Sequence, residues 1–161
     1  MKIPVKEIEP YMSAEYRHGI YLPESVSEAY FDCMLSGEAY VDAPDDWRET
    51  TEAAKADDDL RERQYNSVSE HRVRGMQYED IADNAGAISE YAVSIILGEQ
   101  SKFNLFTAYA HSYERIIVCL HKAKDYEREA KYISQYLAHG LDETRSVKYS
   151  ARLEKLKSKI K

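Results

Sequence analysis

The chain has 161 residues, a length that fits one ordinary domain with a substantial core. Its formal net charge is −7 and 43% of its residues are hydrophobic, yet no run approaches the roughly 20 consecutive apolar residues that a membrane span requires. Residues 1–12 mix charges and prolines and lack the apolar centre of a secretion signal. We therefore expect a cytoplasmic protein without membrane insertion.

The chain lacks the residue patterns of common catalytic and metal sites. Cys33 and Cys119 are far apart and neither has a second cysteine beside it, which excludes CxxC chemistry and clustered cysteine zinc sites. No two of the five histidines have the i, i+4 spacing of a helical zinc site, and no glycine-rich phosphate loop or serine nucleophile motif occurs. We predict no cofactor, no metal and no catalytic residue.

Residues 1–22 lack the periodicity of a long helix. Pro4, Pro10 and Gly19 separate their short apolar patches, and prolines and glycines are typical of turns and loops. We expect extended segments and turns in this region.

A helix is predicted next, because Ser25 and Glu28 have the S-x-x-E spacing of a capping box. We expect this helix to run to about Ser36, where Gly37 is placed to end it. Its buried side is predicted to consist of Ala29, Tyr30, Phe31, Met34 and Leu35.

Residues 38–66 form a strongly charged, acidic segment with few apolar anchors, so we expect part of it to be mobile. Pro44 can open a short helix, because a proline in the first turn gives up no hydrogen bond that the helix needs. A second capping box at Ser67 and Glu70 predicts a further helix that ends before Asp83.

From residue 85 onward, apolar residues recur at three- and four-residue steps, which is typical of amphipathic helices. The predicted helices cover residues 85–97, 105–120 and 126–137, with Gly98 and Gly140 as stops, and a last helix starts at about Thr144. The link between the second and third helices is short, which favours an antiparallel hairpin. We therefore predict one all-α domain over 1–161, an antiparallel helical bundle with a helical scaffold over 67–161 and a less regular N-terminal region.

The most regular part of this pattern is residues 111–137. Its aromatic and aliphatic positions and its acidic–aromatic turn are Tyr113, Ile116, Leu120, Asp125, Tyr126, Ile133 and Tyr136. The segment resembles a tetratricopeptide repeat (TPR) unit, with Glu129 standing where that family usually has alanine. The resemblance implies helical hairpins that line a concave surface for peptides or partner proteins, usually without catalysis.

Charge is distributed unevenly along the chain. Residues 1–60 hold 15 acidic and 5 basic side chains, whereas residues 61–161 hold 14 acidic and 17 basic ones. An acidic surface can speed and orient association with a basic partner. The candidate partner-binding residues are Asp45, Asp46, Trp47, Asp57, Asp58 and Asp59, with Trp47 expected as an exposed anchor.

A basic stripe runs along the last predicted helix. It consists of Arg145, Lys148, Arg152, Lys155 and Lys159. We interpret it as a solvated face that also complements the helix dipole. Direct nucleic-acid binding is disfavoured, because the chain is acidic overall and no aromatic platform interleaves with these cations.

These observations favour a non-catalytic protein–protein interaction domain on a TPR-like helical scaffold. The alternative is a small acidic inhibitor or immunity-type protein, a toxin antagonist or anti-defence protein, whose N-terminal region blocks a basic site. A third hypothesis is an enzyme that acts through acidic residues, for which the sequence nominates none. The expected partner is another protein, and self-association through leftover apolar surface stays open as an alternative.

Overall fold

The computed structural model describes residues 1–160, and these residues confirm the predicted all-α class. They form two compact units, Met1–Arg61 (unit 1) and Glu62–Lys161 (unit 2), of which residue 161 lies outside the described part. Each unit has a hydrophobic core of its own. The single cooperative domain expected from chain length stays a prediction. Over residues 1–160, no helix combines the length and the apolar content that crossing a bilayer requires.

Unit 1 begins with short elements and, as predicted, contains no long helix over residues 1–22. They are strand β1 (Lys2–Pro4), helix α1 (Val5–Ile8) and two stretches of 3-10 helix (Glu9–Met12 and Ala14–Gly19). Helix α2 (Glu24–Ser36) and strand β2 (Tyr40–Asp42) follow. The two strands pair antiparallel, with Ile3 opposite Val41. These two side chains are buried in the core of the unit.

Helix α2 has the predicted length but buries only part of the predicted side, of which Ala29 and Tyr30 pack against the core. Gly37 ends the helix with a φ of +76°, in the left-handed region that glycine tolerates. Val26 and Cys33 face the core, and the Cys33 thiol donates a hydrogen bond to the carbonyl oxygen of Tyr40 at 3.3 Å. Apolar residues occupy both sides of this helix, so the local pattern alone does not select the buried one. Three of the predicted core residues are exposed: Phe31, Met34 and Leu35.

A single 34-residue helix, α3 (Trp47–Asp80), covers residues 47–66 of the acidic segment 38–66, part of which was expected to be mobile. Its sequence contains no proline, and it is rich in strong helix formers such as alanine, glutamate and arginine. Side-chain pairs four residues apart support it further, because Lys55 donates to Asp59 at 2.7 Å. High charge therefore coincides here with a long helix rather than with a mobile loop.

The two helix starts predicted in this region are wrong. Pro44 precedes α3 without opening a helix of its own, although its carbonyl oxygen accepts a hydrogen bond from the Trp47 amide at 3.2 Å. Ser67 and Glu70 lie in the interior of α3, where the capping-box spacing has no free amides to satisfy. Glu70 instead accepts from Arg74 at 3.0 Å, one turn later.

The predicted helices of unit 2 are all present. They are α4 (Asn84–Gln100), α5 (Phe106–Lys122), α6 (Tyr126–Leu137) and α7 (Glu143–Lys157). Aspartates cap three of them: Asp83 accepts from the Gly86 amide at 2.9 Å, and Asp125 and Asp142 occupy the same position before α6 and α7. Within this series α4 packs against α5, α5 against α6, and α6 against α7.

Gly98 lies inside α4 instead of ending it. The Tyr109 ring of α5 fills the space that a side chain at Gly98 would need. Gly75 in α3 has the same role, because a Cβ atom there would lie 2.6 Å from Cε1 of Tyr91. These glycines mark close approaches between helices, and the prediction that Gly98 ends a helix is wrong.

Candidate partner-binding site

The six residues predicted to bind a partner lie in unit 1, along the first part of α3. Asp45 and Asp46 precede the helix and are exposed. Asp57, Asp58 and Asp59 follow about three turns later, which places them roughly 18 Å along the helix axis. The structure therefore does not bring the two groups of acids together.

Trp47 is buried, contrary to our expectation of an exposed anchor. Its side chain is only 1% exposed and belongs to the core of unit 1. The ring of Tyr11 packs edge-on against the indole at 5.2 Å, and the Arg48 guanidinium lies over it at 5.1 Å from the centroid. Because the large indole is buried in this small core, Trp47 has almost no exposed surface with which to contact a partner.

The three consecutive aspartates do not form one anionic site. Consecutive helix positions diverge by about 100°, so their carboxylates point in different directions. Asp58 accepts from the hydroxyl of Tyr21 and pairs with Arg17 at 3.4 Å. Asp59 pairs with Lys55 at 2.7 Å. The charges of Asp58 and Asp59 are thus already balanced within unit 1.

The basic stripe of α7 is partly neutralised as well. Arg145 pairs with Asp142 at 2.5 Å, and Arg152 pairs with Glu129 at 2.8 Å. The ammonium group of Lys148 lies 5.3 Å from the centre of the Tyr149 ring. These local contacts support the interpretation of a solvated, self-compensated face.

A cleft with largely apolar walls lies in unit 2. It encloses about 620 Å³ between α4, α5 and α6. Its lining residues are Ile95, Ile96, Glu99, Gln100, Tyr113, Lys131, Tyr132, Gln135, Ala138 and His139. A cleft of this size accommodates a few side chains of a peptide.

A fixed carboxylate stands at one side of this cleft. Glu99 accepts a hydrogen bond from the Tyr113 hydroxyl at 2.5 Å, and Nε2 of His139 lies 2.6 Å from the same oxygen. The His139 ring is itself stacked on Phe106 at 4.2 Å. Burial and the hydrogen bond to Glu99 raise the pKa of Tyr113. The hydroxyl therefore stays protonated and keeps orienting the carboxylate across the physiological range.

The remaining wall of the cleft is apolar with a basic rim. Ile96 is 50% exposed and Ile95 lies buried beside it. Tyr132 packs its ring edge-on to Tyr113 at 6.3 Å, and Lys131 lies exposed on the same helix. An apolar wall beside an oriented carboxylate is suited to holding a side chain and a hydrogen-bond donor together.

The described residues do not form a site that is arranged for thiol or metal chemistry. Burial, followed by the charge of Glu79, raises the pKa of Cys119 to about 11, so this thiol is not nucleophilic at neutral pH. No group of three or more His, Cys, Asp or Glu side chains within residues 1–160 is arranged to hold a metal ion.

Of the residues that line the cleft, Tyr113 belongs to the TPR-like pattern of residues 111–137, whereas Glu99 and His139 belong to no motif. Glu99 lies near the end of α4 and His139 follows α6, about 40 positions later, so only helix packing brings them together. The one feature of the sequence that points to this site is that Glu99 and His139, next to helix ends, interrupt the apolar stripes. The chain matches no family model, no curated protein and no solved structure.

Proposed function

We propose that this protein is a non-catalytic protein–protein interaction domain whose unit 2 cleft binds a segment of a partner protein. The observation that carries the proposal is the half-exposed Ile96 beside the oriented carboxylate of Glu99. Exposed apolar side chains that line a concave surface are typical of binding sites. A cytoplasmic location is part of this proposal.

The chemistry of the cleft defines the segment that it would accept. Ile96 and Tyr132 offer apolar surface for one aliphatic or aromatic side chain. The Glu99 side chain is 38% exposed, so it can accept a further hydrogen bond from a lysine, an arginine or a backbone amide. A ligand with an apolar anchor and a nearby donor would satisfy both groups.

The TPR-like interpretation of the hairpin α5–α6 belongs to the same proposal. A lone hairpin leaves apolar surface uncovered, and repeat units need neighbours to bury it. Here α4 and α7 supply that cover, since Tyr91, Ile95, Tyr149 and Leu156 join the hairpin residues in one core. This arrangement leaves the cleft between α4 and α6 open on its outer side.

The test is a peptide-display selection on the immobilised full chain, followed by affinity measurements with the selected peptides. Ile96→Asp should weaken binding at least about ten-fold, because it places a charge on the apolar wall. Val93→Asp is the matched control: Val93 lies on the same helix and is 38% exposed, but it does not line the cleft. Equal binding by both variants, or selection of no peptide, would reject the cleft as the binding site.

A second candidate function is the small acidic inhibitor or immunity-type protein. The favouring observation is a set of exposed carboxylates on α2, namely Glu24, Glu28 and Asp32, on a helix that contains no lysine or arginine. Its partner would present a basic surface, as a nuclease, toxin or defence complex does.

A further inference from the structure

Helix α2 presents an apolar face to solvent. Phe31 and Leu35 are four residues apart and therefore lie on one side of the helix, whereas Val26 and Cys33 lie on the other side, in the core. The exposed fractions are 55% for Phe31, 60% for Met34 and 89% for Leu35. Single exposed apolar residues are common on protein surfaces, but three neighbours on one helix form a contiguous patch.

The same face carries a line of negative charge. Glu24 and Glu28 continue the line of Phe31 and Leu35 toward the start of the helix, and Asp32 lies beside them. All three carboxylates are exposed, and within residues 1–160 none of them forms an ion pair. The negative charge of this helix is therefore available to a partner.

We propose that this α2 outer face, made of Glu24, Glu28, Phe31, Asp32, Met34 and Leu35, docks a basic segment of a partner protein that carries apolar anchors. The inference rests on the second proposed function, the acidic inhibitor, and assigns it a surface and a ligand chemistry. Apolar side chains of the partner cover Phe31, Met34 and Leu35, while its lysines or arginines pair with the flanking carboxylates.

The negative charge of the α2 outer face determines which kind of molecule can bind to its apolar patch. Nucleic acids and anionic membranes carry negative charge and are repelled by three exposed carboxylates. A second copy would bring an identical acidic face against this one, which is unfavourable for an isologous contact. A basic amphipathic segment satisfies both the apolar and the charged part of the face.

The experiment uses the full chain and, as the probe, a fluorescently labelled synthetic amphipathic helix with leucines at positions i, i+3, i+4 and i+7 and lysines at the flanking positions. Two comparison peptides replace lysine by glutamine or leucine by alanine, which keeps the helix propensity. We expect the leucine–lysine probe to bind at least about ten-fold more tightly than either comparison peptide, because it alone matches both halves of the face. Binding is measured by fluorescence anisotropy at low and at moderate salt.

Two double variants test the face itself. Phe31→Ser with Leu35→Ser should weaken probe binding at least about ten-fold at any salt concentration, because it removes the apolar contact. Glu24→Gln with Glu28→Gln should weaken binding mainly at low salt, where exposed charges are least screened. The matched control is Ile81→Ser in unit 2, which changes a residue that is 72% exposed and should leave binding within about two-fold. All changed residues are exposed, and unchanged thermal unfolding confirms that each variant folds.

The outcomes separate this inference from the function on which it rests. Unchanged binding in the Phe31/Leu35 variant, with loss in Asp45→Asn/Asp46→Asn, would overturn the α2 assignment and leave the acidic inhibitor standing at another surface. Failure of the leucine–lysine probe to bind at all would overturn the α2 assignment. A wild-type dimer that the Phe31/Leu35 variant dissociates, measured by light scattering, would assign the face to a second copy and overturn the proposal.

Discussion

Buried tyrosines in unit 2 direct their hydroxyl groups to glutamates. Tyr91 donates to Glu79 at 2.6 Å and Tyr136 donates to Glu114 at 2.9 Å. A buried hydroxyl without a partner is destabilising, and an ionised carboxylate is a strong acceptor. These pairs let the core use large rings without leaving polar atoms unsatisfied. They also hold several glutamates in fixed positions at the edge of the core.

Glu79 provides a test of this principle through its pH dependence. Its hydrogen bonds from Arg115 and from Tyr91 hold its pKa at about 2, below the ordinary value of 4.5. Because the pKa is lower in the folded state, protonation favours the unfolded state, and the stabilisation is lost as pH falls from about 4.5 toward 2. We expect the wild type to lose about 2 kcal/mol more unfolding free energy over that interval than Glu79→Gln does.

The measurement is urea unfolding at several pH values from about pH 5 down to about pH 2. Glu70→Gln is the matched control, since Glu70 is exposed and its pair with Arg74 on the same helix contributes little. This variant should follow the wild-type acid dependence. Parallel losses in the wild type and in Glu79→Gln would show that the Arg115 pair does not hold the ionised form.

At the scale of elements, prediction from sequence succeeded where several local signals agree. Helix α6 has the bounds that its apolar stripe predicts, Tyr126–Leu137, and the acidic–aromatic turn before it supplies the Asp125 cap seen in the structure. In helix α2 the local signals do not agree. It has apolar residues on both sides, and Val26 and Cys33 are buried whereas Phe31 and Leu35 are exposed. Periodicity alone does not distinguish a core face from a docking face.

The sites were less predictable than the helices, for reasons of tertiary structure. Trp47 was the most conspicuous candidate by residue type, yet the folding of the N-terminal segment covers it. Glu99 and His139 carry no local motif and become a site only when α4 packs beside the end of α6. Residue type indicates what a side chain can do, whereas exposure depends on packing that one sequence does not specify.

Glu129 is the residue at which α6 departs from the TPR pattern, and it joins three helices. Its carboxylate is fully buried, accepts from Arg152 of α7 at 2.8 Å and lies 2.9 Å from Nδ1 of His121 of α5. Removing one partner of a buried ion pair leaves the other charge without compensation. We therefore expect Glu129→Ala to lower the unfolding free energy by about 3 kcal/mol, although TPR units usually have alanine at the matching position.

Chemical denaturation of three variants checks this expectation. Glu127→Ala, on the exposed side of the same helix, should change stability by no more than about 0.5 kcal/mol. The double variant Glu129→Leu/Arg152→Leu should recover much of the loss, because apolar pairs can replace a buried ion pair. A Glu129→Ala protein as stable as the wild type would mean that the pair contributes no net stability.

At the scale of the whole molecule, the two cores share no residue. The core of unit 1 contains 8 buried hydrophobic residues, and that of unit 2 contains 16. Buried apolar surface is the main stabilising contribution in folding, so the smaller core should supply less stability. We therefore expect unit 1 to unfold at a lower denaturant concentration than unit 2, which departs from the single domain suggested by chain length.

Trp47 makes this expectation measurable, because it is the only tryptophan and lies in the core of unit 1. Its fluorescence reports on unit 1, whereas far-ultraviolet circular dichroism is dominated by unit 2, which contains more helical residues. Ile116→Ala should lower the dichroism midpoint by an amount equivalent to about 3 kcal/mol and leave the fluorescence midpoint unchanged, whereas Val26→Ala should lower the fluorescence midpoint. If Ile116→Ala instead shifted both midpoints together, the continuous helix α3 would couple the two cores into one cooperative domain.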